Sequence, residues 1–410
     1  MITKKIHPLI TGSALVIGGN LLASFGSYLF HLISGRLLTP AEYGLLESVI
    51  ALLYLLTVFS QSLSFAVVDR LSRLSQEKVG GAIGGLGRKA ILISMLVFML
   101  LILLAPFWQN FLHFDNSIIY WLFAAQGLLS FLPVVYTAAA QARLKWFLFV
   151  ALSVVPVYLK TLAALVLVKL GLGVNGAFGG FLVQSIITII LGYILIKRLW
   201  PDRIDSVEDN KNFWSFLGLS MLANVFLASL YSTDILFVRH FFDAEAVGIY
   251  SAGSVLSKMI FFGSNAVLLV AFPLFSKYKD KKNKLKKIYF SALFYILAVV
   301  GLGALVFYFF PNLMVTLLYG SGYKEAGVYL FSFAVFIGLA AVLTLIVQFL
   351  LALGDKRAFL LALGAATLQA VMIFLQHENL GQVLTKSIMA LALFLVAGQL
   401  IIFKKLYERS

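Results

Sequence analysis

Three ionisable side chains stand deep within long apolar runs of this sequence: Lys160, Asp234 and Lys258, with Glu47 and His31 nearer one end of theirs. A charge at the centre of a bilayer costs about 2.5–3.5 kcal/mol on insertion scales, so such residues mark ion or substrate pathways. Counted at about 1.5 Å per residue, Lys160, Asp234 and Lys258 are each expected roughly 10–15 Å below one membrane face. Asp234 and Lys258 lie on consecutive runs joined by a short link and can pair, which leaves Lys160 as an unmatched cation suited to an anionic headgroup. The alternative is structural: Lys258 neutralises Asp234, and Lys160 snorkels to an interface.

The chemistry excluded is as informative. There is no cysteine, hence no disulfide, thiol catalysis or thiolate metal site. The five histidines are scattered, with no His-Glu-x-x-His pair and no Gly-x-Ser-x-Gly elbow, so an enzyme is not expected. The run from Gly80 to Lys89 (GGAIGGLGRK) looks like a phosphate loop but lacks the preceding strand and the Gly-Lys-Ser/Thr ending; a flexible loop is expected there.

Elements able to hold these groups follow from composition. Mean hydropathy is +0.99, and of the 410 residues 61% are hydrophobic and 12% charged. A soluble domain carries roughly a quarter charged residues, so the solvent of this chain is lipid. Twelve apolar stretches are long enough to span a hydrocarbon core about 30 Å thick: near 9–34, 45–68, 90–112, 118–140, 147–168, 176–196, 214–238, 248–275, 288–310, 326–353, 358–376 and 383–403. They are continuous rather than alternating, which argues for helices over a barrel.

The formal charge of +15 does not indicate nucleic acid, because its distribution follows membrane topology. With alternating spans and the N-terminus inside, 25 of the 32 Lys and Arg residues fall on the inner side and five outside. The positive-inside rule therefore places both termini in the cytoplasm. Seven lysines crowd between Lys277 and Lys287; they fix topology there or bind anionic lipid heads. The first apolar stretch is too long for the core of a cleavable signal.

A repeat at half the chain length organises the spans. Asn20, Gly44 and Gln61 return 204 residues later as Asn224, Gly248 and Asn265. Ser13, Asn20, Ser24, Ser27, His31 and Ser34 share one face of the first span, as do Ser220, Asn224, Tyr231 and Asp234 of the seventh. Glu47, Tyr54 and Gln61 follow at heptad steps in the second, matched by Ser251, Lys258 and Asn265 in the eighth. Such stripes are either glue between helices or the lining of a polar path. The charged segment 197–212 divides the chain into six-span lobes, 1–200 and 201–410, in parallel orientation. Pro156, one turn before Lys160, is a candidate kink.

Four short segments carry a resemblance across nearly the whole chain: Gly35–Gly44 (GRLLTPAEYG), Asp234 with Val247–Ala252 (VGIYSA), Ala271–Ser276 (AFPLFS) and Leu317–Ala326 (LLYGSGYKEA). They resemble polysaccharide or lipid-linked oligosaccharide flippases of the MOP superfamily, relatives of the MATE exporters and lipid II flippases. The resemblance implies an all-α polytopic membrane protein whose twelve transmembrane helices form two six-helix lobes, V-shaped around a central cationic cavity. It implies transfer of an undecaprenyl-pyrophosphate-linked oligosaccharide across a bacterial inner membrane, with membrane lipids and polysaccharide assembly proteins as partners. Lys160, Lys258 and Arg36 are then candidates for the pyrophosphate, and Asn20, Asn224, Gln61, Asn265 and Tyr231 for sugar hydroxyls. Asp234, Glu47 and His31 are candidates for coupling to H+ or Na+, with no cofactor or metal. A MATE-type drug or cation antiporter is the alternative; a membrane glycosyltransferase or polymerase fits less well, lacking a large external loop to hold catalytic residues.

Overall fold

A lipid-embedded backbone must satisfy its own hydrogen bonds, and long apolar runs without strand periodicity do so as helices. The computed structural model describes residues 8–114, 117–201 and 224–407, and among them there is helix and no strand. The helices are α1 (Pro8–Leu37), α2 (Pro40–Ser72), α3 (Val79–Leu103), α4 (Ala105–Phe111), α5 (Ile118–Leu129), α6 (Leu132–Ala142), α7 (Trp146–Leu167) and α8 (Gly173–Leu199). After the undescribed segment come α9 (224–229 as described), α10 (Thr233–Phe241), α11 (Ala244–Lys277), α12 (Lys282–Phe309), α13 (Pro311–Tyr319), α14 (Leu330–Ala352), α15 (Arg357–Leu375) and α16 (Leu380–Tyr407).

Ten segments are long and apolar enough to cross a membrane, and one of them, Trp146–Leu199, contains both α7 and α8. Together with the partly described α9–α10, this reproduces the twelve-span reading. The α7–α8 hairpin closes through a single wide turn at Val168–Leu172, where Gly171 (φ +87°) and the following Gly173 (φ +48°) take backbone conformations that a Cβ disfavours.

The chain forms two compact units, and the boundary does not respect span order. The first comprises Met1–Leu38 and Leu56–Gly218; the second comprises Thr39–Leu55 and Leu219–Ser410. The sequence reading assigns all of 1–200 to one lobe, whereas the first half of α2 packs with the second unit. In the first unit α7 packs against α1 and α8, and α5 and α6 bridge α8 and α3. In the second, α14 is the hub, against α11, α12, α15 and α16. It is apolar all round, and nearly every residue from Phe333 to Leu350 is buried.

One local expectation differs from the structure. The glycine run at 80–87 is the first turns of α3, not a loop. A Cβ at Gly80 would collide with the Pro201 carbonyl, so a missing side chain there serves close packing rather than flexibility. Pro156 lies inside a helix that runs unbroken from Trp146 to Leu167, whereas the seventh span is interrupted by a turn at Leu230–Ser232.

Candidate functional site

The second unit gathers its polar residues where three helix segments start near one another. Thr39 begins α2 with a reciprocal cap: its Oγ1 accepts from Glu42 N at 3.3 Å, and Glu42 Oε2 accepts from Thr39 N at 3.0 Å, with Pro40 in the first helical position. At the repeat position, Asp243 caps α11 by accepting from Ala246 N at 2.9 Å. The sequence links 37–44 and 241–248 are thus mostly helix, each reduced to a two-residue turn, Leu38–Thr39 and Phe242–Asp243.

The repeated glycines meet each other. A Cβ on Gly44 would lie 2.6 Å from Gly248 N and 2.9 Å from Val247 C, and one on Gly248 would overlap the Pro40 carbonyl. These backbones approach as closely as two helices can, the use to which small residues are put between membrane helices. Their approach sets α2 beside α11 and carries Glu47 and Tyr54 to the face that bears Tyr250 and Lys258.

The seventh span is broken. Residues 224–229 are helical, Leu230–Ser232 turn, and α10 restarts at Thr233. A break within a membrane leaves carbonyls unbonded, and one is recovered from α15: Gln369 Nε2, fully buried, donates to Leu230 O at 3.1 Å and to Ser387 Oγ at 3.2 Å. The restart places Asp234 in the first turn of α10, where the helix dipole favours negative charge.

Around Asp234 the cluster is nearly dry. Asp234 is 0% exposed, Glu47 1% and Lys258 4%. Asp234 Oδ2 accepts from Tyr250 Oη at 2.8 Å. Lys258 Nζ has no hydrogen-bond partner among the described residues and lies 5.2 Å from the centre of the Tyr54 ring. Glu47 and Asp234 both act on it electrostatically. Asp234 and Lys258 therefore share one pocket without a direct hydrogen-bonded pair. Tyr231 packs on Phe261 with centroids 4.9 Å apart, one turn beyond Lys258. Buried hydroxyls of Ser232, Ser251, Ser254 and Ser257 complete the polar surroundings.

The first unit holds its cation differently. Lys160, 4% exposed, projects between two aromatic rings, with Nζ 4.6 Å from the Phe30 centroid and 4.5 Å from that of Phe181. Ring faces stabilise an ammonium without neutralising it. Gly180 permits this: a Cβ there would lie 2.6 Å from Lys160 O. Thr161 Oγ1 reaches Gly26 O at 3.2 Å and ties α7 to α1. His31 is buried, edge-on to Phe30 at 5.4 Å.

Of the residues expected from sequence, Glu47, Tyr231, Asp234 and Lys258 come together in the second unit, and Lys160 and His31 share the Phe30 neighbourhood in the first. Asn20, Arg36 and Gln61 are exposed in the first unit, Asn224 is half-buried in the second, and the Asn265 side chain and Ser220 lie outside the described residues. Sequence reasoning singled out neither Tyr250, which donates to Asp234, nor Gln369, which donates to the carbonyl freed at the break in span seven. Tyr250 lies within the VGIYSA segment, and Gln369 is a polar residue isolated in an apolar span, the signal that marked Lys160.

The fold is similar to that of solved membrane transporters. The structure of the lipid II flippase MurJ in an inward closed conformation superposes with a TM-score of 0.73 at 14% identity, covering 96% of this chain and 87% of that one. An inward-facing multidrug resistance MATE family transporter gives 0.72 at 12% identity, covering 94% and 96%. In sequence, an uncharacterised membrane protein of Methanocaldococcus jannaschii is 25% identical over 320 residues, 70% of this chain and 74% of its own length. The profile of a polysaccharide biosynthesis protein family matches residues 33–328, and the chain belongs to that family.

Proposed function

We propose that this protein flips a lipid-linked oligosaccharide, an undecaprenyl-pyrophosphate-linked polysaccharide repeat unit, from the inner to the outer leaflet of a bacterial cytoplasmic membrane by alternating access. The observation that carries this reading is the pair of buried ammonium groups. Lys160 Nζ lies between two aromatic faces and Lys258 Nζ has no hydrogen-bond partner among the described residues, an arrangement that supports attraction of a polyanion by each. The polyprenyl tail stays in lipid while the pyrophosphate uses these lysines, and Arg36 at the end of α1. Asn20, Asn224, Gln61, Asn265 and Tyr231 offer hydrogen bonds to sugars. The work is transport, with no bond made or broken.

Energy enters through Asp234. Charge on its carboxylate acts on Lys258 within one buried pocket, where the low dielectric strengthens the interaction between charges. Binding of H+ or Na+ at Asp234, seconded by Glu47 and His31, raises the net positive charge offered to the pyrophosphate, and release lowers it. Both termini face the cytoplasm on the charge distribution. Membrane lipids and polysaccharide assembly proteins are the expected partners.

A MATE-type drug or cation antiporter is the second reading, favoured by one observation: two buried carboxylates, Asp234 and Glu47, both act on the ammonium of Lys258. Proteoliposomes carrying a fluorescent polyprenyl-pyrophosphate oligosaccharide distinguish the two. The flippase reading expects transfer that Lys160→Ala and Lys258→Ala each abolish with the protein still inserted. Transfer surviving both changes refutes the cationic mechanism, and ethidium transport without glycolipid transfer replaces it with the exporter.

A further inference from the structure

Between α11 and α12, in the second unit alone, runs a groove of about 610 Å³ that the transport mechanism does not use. Its walls are Val267, Val270, Ala271 and Leu274 of α11 and Ile288 and Ala292 of α12. Its polar residues collect toward the loop joining the helices: Lys284, Lys287 and Tyr278, then Ser291 and Tyr295 further along. From Tyr278 to Val267 is eleven helical residues, about 16 Å, close to half the thickness of a hydrocarbon core. The groove is therefore graded: cationic at the water surface and apolar to mid-membrane.

We propose that this groove is a binding site for an anionic glycerophospholipid, with one acyl chain lying along α11 and the phosphate between Lys284 and Lys287. Charge complementarity selects the occupant. The segment from Lys277 to Lys287 holds seven lysines and one acid, Asp280, and no described carboxylate pairs with Lys284 or Lys287. Lys284 Nζ rests 5.1 Å from the centre of the Tyr278 ring, which holds the side chain at the groove mouth while leaving the ammonium free to bind phosphate. A sugar or a soluble anion has no use for the long apolar wall, and a neutral lipid none for the lysines. The site is separate from the Asp234 cluster, so a lipid here acts on the α11–α12 hairpin and not as cargo.

Each lysine near an anionic headgroup contributes about 1 kcal/mol, roughly a factor of five, so two give about 30-fold preference for an anionic over a zwitterionic lipid. Native mass spectrometry of the purified full chain, titrated with palmitoyl-oleoyl phosphatidylglycerol or phosphatidylcholine, reads this directly. The expected result is a first phosphatidylglycerol bound about 30-fold more tightly than phosphatidylcholine. Lys284→Gln with Lys287→Gln removes that preference. Val270→Trp, at a lipid-exposed wall position that tolerates bulk, weakens both lipids. Lys356→Gln with Lys404→Gln, basic residues away from the groove, is the charge-matched control. Equal loss in the control pair, or no preference in the unmodified protein, overturns the site in favour of diffuse surface charge.

Discussion

Replacing Gly44 by alanine puts a methyl group where α2 crosses α11. Its Cβ would be 2.6 Å from Gly248 N, and ordinary van der Waals contact begins at 3.4 Å, so the two backbones must part by about 0.8 Å. No rotamer can relieve the clash because the opposing atoms are main chain. Overpacking of this kind costs about 1–3 kcal/mol, against roughly 0.8–1 kcal/mol returned by alanine's better helix propensity. The net expectation is a loss of about 0–2 kcal/mol. Gly301→Ala supplies the comparison: it sits in α12 with nothing within 4 Å of the added methyl, so it gains propensity without a clash and is neutral or stabilising. Unfolding of both variants in mixed micelles under increasing denaturing detergent should separate them by about 2 kcal/mol. Gly44 is also one turn before Glu47 and Ser48, so moving it displaces Glu47 and Tyr54 from Lys258, and glycolipid transfer should fall with stability. A Gly44→Ala protein as stable as Gly301→Ala refutes the close crossing and the register it gives the cluster.

Three other expectations rest on separate contacts. Gln369→Leu keeps the volume but strips the donor from Leu230 O at the break in span seven, and should cost about 1–3 kcal/mol by the same unfolding assay and speed amide exchange around 230–234. Lys160→Met fills the slot between Phe30 and Phe181 without charge, so stability should change by less than about 1 kcal/mol while transfer is lost; transfer at the unmodified rate removes Lys160 from the mechanism. Outside the spans, Arg357 first, then Lys405, hold the Asp355 carboxyl below its ordinary value. A depressed carboxylate contributes stability above its unfolded pKa, near 4, and loses it as pH falls through the folded value. Asp355→Asn should therefore lower stability by about 1 kcal/mol at pH 7 and flatten the acid limb below about pH 4, read as melting temperature at pH 7 and pH 3.

How far sequence could reach is clear from the same residues. Hydropathy located the spans because each is a local property of about twenty residues. The 204-residue repeat paired Gly44 with Gly248, while their close crossing and the caps at Thr39 and Asp243 emerge only in the folded chain. Assignment of Thr39–Leu55 to the second unit was not legible, since covalent order attaches α2 to α1 and only tertiary packing reassigns it. The break at Leu230–Ser232 left a trace in the polar run Ser229–Asp234, yet that run reads equally as one polar face of an intact helix. Choosing between them requires Gln369, 139 residues away, to accept the cost of the freed carbonyl.

The two buried lysines illustrate why a charge in a membrane span does not define its own role. Sequence pairs Lys258 with Asp234 because they are the nearest opposite charges on one hairpin, but Tyr250 takes the carboxylate and Tyr54 faces the ammonium. Had the two ions joined in a direct salt bridge, their mutual attraction would have tied up both, leaving little for substrate or for a coupling ion. Separated by tyrosines within one pocket, they remain electrostatically linked while each keeps a side open. Tyr250→Phe tests that division. Without the hydroxyl, Asp234 loses its 2.8 Å donor and keeps the backbone N–H groups of its own helix turn and the charge of Lys258 as its attractions. A collapsed Asp234–Lys258 pair should then abolish both glycolipid transfer and its response to an imposed ion gradient, and additional Lys258→Gln should leave transfer absent. If Tyr250→Phe instead transports and couples as the unmodified protein does, the tyrosine is packing alone, and the separation of the charges has another cause.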